Sequence, residues 1–157
     1  MGATTPAAFD PEPLHLGLVM TFIAESAILA GQIVGHAETG LSRNVVPATN
    51  ATNGALGVAL HSQATAGQPV SVAMNGSVVK IMLSADDGTA DAGDWIGVST
   101  VAGMGIVRDP AIHAHDAVVG LGNAIGIALD DISAGATGVG GKGYILISIS
   151  APWTAAS

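Results

Sequence analysis

The sequence predicts an all-β fold, a small barrel or sandwich of short strands. Glycine accounts for 22 of the 157 residues, and each glycine inside a helix costs about 1 kcal/mol. Short runs of alternating apolar and polar residues recur along the chain, each bounded by Gly, Asn or Asp. With 49% apolar residues, the chain has enough hydrophobic side chains to form one core.

The N-terminal segment is rich in proline. Residues 1–13 contain three of the seven prolines and precede the first apolar run, so we expect an extended N-terminal arm outside the core. Such an arm is either a disordered terminus or a segment that becomes ordered on a partner. From Leu14 to Phe22 every second residue is a large apolar one, which predicts a first strand with these side chains on one face.

The clearest local pattern predicts a β-hairpin. Alternating residues 70–74 and 77–83 flank Asn75-Gly76, a dipeptide that tolerates the two positive φ angles of a type I′ turn. Residues 144–150 predict a last strand with three isoleucines on one face. Shorter apolar runs predict further strands at residues 32–34, 56–60, 95–99 and 125–129. The one segment that suits a short helix is residues 111–119.

Two parts of the chain resemble each other. Residues 30–35 (AGQIVG) correspond to residues 92–97 (AGDWIG), and residues 56–60 (LGVAL) correspond to residues 125–129 (IGIAL). Because the blocks follow in the same order, residues 14–157 are expected to form a single β domain with pseudo-repeats at about 28–83 and 90–150. Chance similarity in a chain rich in Gly, Ala and Val is the alternative.

Charge and cysteine content narrow the function classes. Four Lys and Arg against 12 Asp and Glu leave a net charge of −8, too few cations for a nucleic-acid backbone. Cysteine is absent, which excludes disulfides and thiolate chemistry. The most apolar stretch, residues 14–35, is interrupted by polar residues and has an acidic flank. We therefore expect neither a membrane helix nor an export signal.

The motifs that point to chemistry all fit a structural role better. His113 and His115 lack a carboxylate at the spacing of a facial iron triad. The acidic run at residues 86–94 lacks the EF-hand order and suits a turn. In the Gly-rich residues 138–143, Lys142 is not followed by the Ser or Thr of a phosphate-binding loop. We therefore predict no enzyme activity, no cofactor, and no catalytic, cofactor-binding or metal-binding residue.

Four blocks within residues 28–150 together suggest a family. They are residues 57–60, 65–72, 92–97 and 125–129. Their composition and order resemble the small capsid decoration, or cement, proteins of tailed bacteriophages. The resemblance implies a short all-β unit, commonly a homotrimer, that binds the outer surface of an assembled capsid and bridges major capsid protein subunits. It also implies a virion location, on the capsid surface, after synthesis in the host cytoplasm.

The composition agrees with that resemblance, because interface cores are depleted of charge. We expect a structural protein of the phage head whose partners are the major capsid protein and further copies of itself, with a trimer favoured. The alternative is a metal- or carbohydrate-binding β-module of a phage tail or adhesin, which would use His113 and His115. Trp153, beyond the last predicted strand, either anchors a partner or folds over the open end of the domain.

Overall fold

The computed structural model describes residues 8–37, 43–49, 53–84, 89–108, 124–133 and 141–149. Within these ranges the chain forms ten strands, which confirms the all-β prediction. No helix in the described part is long and apolar enough to cross a membrane. The strands are β1 (Val19–Ala24), β2 (Ile33–His36), β3 (Asn44–Pro47), β4 (Asn53–Ala59), β5 (Pro69–Ala73), β6 (Val78–Met82), β7 (Trp95–Val98), β8 (Gly105–Arg108), β9 (Ala124–Ala128) and β10 (Lys142–Ile147).

The strands divide into two five-stranded units. The first unit, β1 to β5, is a closed barrel with the order β1-β3-β2-β4-β5, and the second unit, β6 to β10, is a sheet with the order β6-β10-β9-β7-β8. Followed from β1 in the other direction, the barrel order is β1-β5-β4-β2-β3. The two units therefore have the same strand order, position for position.

Strand register repeats as well. In the first unit Val34 of β2 lies opposite Gly57 of β4, and in the second unit Ile96 of β7 lies opposite Gly126 of β9. Both pairings shift register at the next residue. These are the residues that the repeated sequence blocks align, so the sequence similarity corresponds to a repeated structure.

The contact that closes the barrel is repeated in a reduced form. β1 and β3 are parallel, with Ala24 opposite Val45. In the second unit the corresponding contact is a single parallel bridge between Leu83 and Gly105. The second unit thus follows the path of the first, but among the described residues it joins its end strands at one position only.

The hairpin predicted at Asn75-Gly76 is wrong. β5 pairs with β1 and β4, whereas β6 pairs with β10, so the two strands belong to different units. The N–H of Ser77 donates to the carbonyl of Met74 at 3.1 Å and closes a turn. Of the two central residues only Gly76 has a positive φ, 84°. A type I′ turn needs positive φ at both, and this turn instead leads the chain from one unit into the other.

The two units share a core. A smaller cluster inside the barrel consists of Phe22, Ala24, Ile28, Val34, Val45, Ala59, Val70 and Val72. The larger cluster joins apolar residues of the second unit to Ile33, Val58 and other residues of the first. Ile145 and Ile147 are buried in it and Ile149 packs against it, which confirms the predicted isoleucine face of the last strand.

Candidate interaction surface

The most exposed large apolar side chains lie in one short stretch, residues 14–20, which we call the apolar strip. Its exposed members are Leu14 (68%), Leu16 (46%), Leu18 (50%), Val19 (39%) and Met20 (40%). Elsewhere in the described part of the chain, Leu129 alone is comparable. Contiguous exposed apolar surface of this kind is typical of an interaction site.

The apolar strip crosses from the second unit to the first. Leu14 donates its N–H to the carbonyl of Val78 at 2.9 Å, and the N–H of Val78 donates to the carbonyl of His15 at 2.8 Å. Further along, the N–H of Met74 donates to the carbonyl of Leu18 at 2.7 Å. Because its two ends pair with different units, the stretch is not one strand. The predicted strand start at Leu14 is therefore wrong, and β1 begins at Val19.

The sequence does not show that this stretch is exposed. Alternation of apolar residues indicates a strand but does not tell a buried face from an exposed one. A half-buried strand of an antiparallel sheet usually has polar or charged residues on its outer face. From Leu14 to Ala24 the chain has no charged residue on either face. The buried strands β5 and β9 lack charged residues as well, so this feature does not separate the apolar strip from a core strand.

Phe9, in the described part of the N-terminal arm, contacts both units. Its N–H donates to the carbonyl of Ala30 at 3.2 Å, and its ring lies where a Cβ on Gly31 would otherwise be. From the second unit, the Nζ of Lys142 lies 5.0 Å from the centroid of the ring, within cation–π range. Residues 8–13 thus pack on the domain, while residues 1–7 lie outside the described residues.

A polar cluster holds the next part of the arm against β6 and β10. The Oε2 of Glu12 lies 2.7 Å from the Nζ of Lys80 and accepts a hydrogen bond from the Oη of Tyr144 at 3.1 Å. The hydrogen bond from Lys80 holds the pKa of Glu12 below its ordinary value, and Glu12 raises the pKa of Lys80. Burial, followed by the bond to Glu12, raises the pKa of Tyr144.

We expect Glu12→Gln to lower the melting temperature slightly near neutral pH and to have a smaller effect in acid. The pKa of Glu12 in the folded protein lies below 4.5, its ordinary value. Ionisation therefore stabilises the fold above that value, and the stabilisation is lost as the pH falls through the folded pKa. Thermal unfolding at about pH 7 and about pH 3 measures the difference. An equal difference at both pH values would contradict an ionic contribution, and about 1 M salt should reduce it.

Only some of the candidate residues for binding or catalysis lie in the described part of the chain. His113, His115 and Trp153 lie outside the described residues. In the acidic run, the Oδ2 of Asp94 accepts the N–H of Asp91 at 3.0 Å, which is a turn contact. No group of three His, Asp or Glu side chains that could hold a metal ion occurs among the described residues.

The architecture matches a solved structure. No known protein family and no curated protein matches the chain. The crystal structure of the head fiber gp8.5 N base in bacteriophage phi29 superposes on it with a TM-score of 0.55, at 16% sequence identity. The match covers 86% of this chain and 97% of that chain. The chain has the fold of a phage head-fibre base.

The head-fibre base fold takes in both units, because 86% of the chain is more than either unit contains. At this identity the likeness shows the fold alone. The phi29 neighbour is itself a protein of a phage head. This agrees with the resemblance to phage head proteins that the repeated blocks predict, and confirms it at the level of the fold.

Proposed function

We propose that this protein is a structural component of a tailed-phage head that binds the outer capsid surface and stabilises it by bridging major capsid protein subunits. The observation that carries the proposal is the fold shared with the phi29 head-fibre base over 86% of the chain. The sequence resemblance to capsid decoration proteins supports the finer part, which is attachment to the capsid and bridging of its subunits.

The surface chemistry supports a role in assembly. The apolar strip, uncharged and exposed, offers a surface that gains about 25 cal/mol for each Å² removed from water. A contact of this kind, repeated over a shell, adds through multivalency although each copy binds weakly. The shared core joins the two units into one body, which can transmit such contacts from one capsid subunit to the next.

The proposal includes the partners expected from the sequence. They are the major capsid protein and further copies of this chain, with a trimer favoured, at the capsid surface of the virion. A closed oligomer would place several copies of the apolar strip around one symmetry axis. We further propose that the protein acts without a cofactor and without enzyme activity.

Binding to capsids tests the proposed function directly. The purified protein should co-sediment with expanded capsids of the phage that encodes it and should raise the melting temperature of those capsids. Capsids already saturated with the protein are the matched control, because they should take up no more. The solution mass of the free protein tests the trimer separately. Absence of both co-sedimentation and stabilisation would overturn the proposal.

A further inference from the structure

The first half of β1 is hydrogen bonded along one edge. Leu18 and Ala24 exchange backbone hydrogen bonds with the chain on the β5 side. Because hydrogen bonding alternates along an antiparallel pair, the backbone N–H and C=O groups of the even-numbered residues of β1 point towards β5. Val19 and Thr21 therefore direct their backbone N–H and C=O groups towards the opposite edge. We call these outward groups of Val19 and Thr21 the open edge.

β3 reaches this side of β1 only further along the strand. The N–H of Ile23 donates to the carbonyl of Arg43 at 2.8 Å, and pairing with β3 begins there. No described residue pairs with the backbone N–H groups of Val19 and Thr21 or with the carbonyl of Val19. The carbonyl of Thr21 has one long contact, 3.5 Å from the Nη2 of Arg43.

The second unit has an equivalent of the open edge on β6. Ala24 and Leu83 are the equivalent positions at which the two units join their end strands. Val19 precedes Ala24 by the same number of residues as Val78 precedes Leu83. Val78 and Lys80 are therefore the equivalents of Val19 and Thr21.

That equivalent edge is covered by the N-terminal segment, residues 11–15. The N–H of Lys80 donates to the carbonyl of Pro11 at 2.7 Å. Val78 donates to His15 at 2.8 Å and accepts from Leu14 at 2.9 Å. The pairing is antiparallel. An extended segment thus satisfies in the second unit the backbone groups that face outward in the first.

The side chains beside the open edge are apolar and exposed. Met20 shares the inward face of β1 with Phe22, yet Met20 is exposed whereas Phe22 is buried. Leu16 and Leu18, just before the strand, are exposed as well. A segment lying along the open edge would cover these side chains while its backbone forms the missing hydrogen bonds.

We propose that the open edge binds an extended, mainly apolar segment of the major capsid protein, which adds to the barrel as an antiparallel strand. The identity of this partner rests on the proposed function. The geometry is that of β-augmentation, in which main-chain hydrogen bonds give affinity and alternate side chains give specificity. The covered edge of β6 is the internal precedent for the arrangement.

A second copy of this chain fits the open edge less well. The segment that caps β6, residues 11–15, is already bound within its own chain. Two copies also carry like net charge, −8 each.

Backbone amide exchange tests the proposal on the full chain. In the free protein at low concentration, the amides of Val19 and Thr21 should exchange fast, while those of Met20 and Phe22 are protected by β5. After binding to expanded capsids, protection of Val19 and Thr21 should rise by about tenfold or more. Co-sedimentation without this rise would overturn the inference and leave the proposed function standing.

The other outcomes of the exchange experiment also decide. Protection of Val19 and Thr21 in the free protein at low concentration would mean that the chain itself covers the edge. Protection that grows with protein concentration alone would mean that a second copy binds there. Either result overturns the inference, and failure of the wild type to bind capsids overturns both the inference and the proposed function.

Variants provide a second measurement. Thr21→Pro removes an outward N–H, and proline is tolerated at strand edges whose N–H faces solvent. It should weaken capsid binding by about tenfold. Leu18→Lys should weaken binding similarly, whereas Leu129→Lys, at another exposed leucine (45%), should not. Melting of each free variant checks the fold. If Thr21→Pro does not fold, equal binding by the two lysine variants overturns the inference.

Discussion

Gly126→Ala is expected to lower the free energy of unfolding by about 3 kcal/mol. A Cβ at this position would overlap the carbonyl oxygen of Leu146 and lie 3.2 Å from the Cα of Ile147. Both obstacles are backbone atoms of β10, which is held between β9 and β6 by two antiparallel ladders. Because the obstacles are backbone atoms, no side-chain rotation can relieve the overlap. The added methyl must therefore displace β10, which is an interior strand of its sheet.

Gly57→Ala should have an effect of similar size in the first unit. There the added Cβ would overlap the carbonyl oxygen of Ala73 and lie 2.8 Å from a methyl group of Val72. The matched control is Gly67→Ala, where no atom lies within 4 Å and the cost comes from a positive φ of 85°. That strain costs about 1 kcal/mol.

Denaturant unfolding with linear extrapolation measures all three variants. Because the larger core cluster contains residues of both units, we expect one transition in each case. A cost for Gly126→Ala no greater than that for Gly67→Ala would contradict the close approach of β9 and β10.

The paired glycines show which part of the fold the sequence could predict. A glycine inside an apolar strand indicates a bend or a close backbone approach, and here the same residue recurs in two aligned blocks. The order of those blocks predicts two similar halves, at about residues 28–83 and 90–150. The structure instead places β1 in the first unit and β6, at residues 78–82, in the second. The short apolar runs at residues 56–60 and 125–129 predict strands, and β4 and β9 confirm them.

Features that depend on which strands lie side by side were not predictable. β3 and β8 are short, and β3 contains Pro47 and β8 begins at Gly105, residue types that are depleted in strands. They are strands because β2 and β7 supply the pairing. The hairpin prediction at Asn75-Gly76 was wrong for the same reason. A dipeptide indicates that the chain turns there, but not which strand lies beside the next one.

The interaction surface could be predicted only in part. The absence of charge around the apolar strip is visible in the sequence. Its exposure is not, because it follows from the crossing between the two units. The open edge depends on where β3 begins beside β1, a contact between residues 23 and 44. No pattern within residues 14–22 carries that information.

Phe22→Ala is expected to lower the free energy of unfolding by about 3–5 kcal/mol, and Met20→Ala by less than about 1 kcal/mol. The two side chains share the inward face of β1, so apolar alternation alone would assign them similar burial. In the structure Phe22 is 7% exposed and belongs to the barrel cluster, whereas Met20 lies where β3 does not reach.

The two variants distinguish the burial expected from apolar alternation in the sequence from the burial that contacts in the fold produce. Phe22→Ala leaves a cavity lined by Val70 and the other residues of the barrel cluster, and the closed wall cannot collapse to fill it. Met20→Ala removes atoms that are already partly in water. Equal losses for the two variants in denaturant unfolding would mean that the barrel is closed beside Met20. The open edge would then be covered by the chain itself, so the same pair of variants also bears on where a capsid segment can bind.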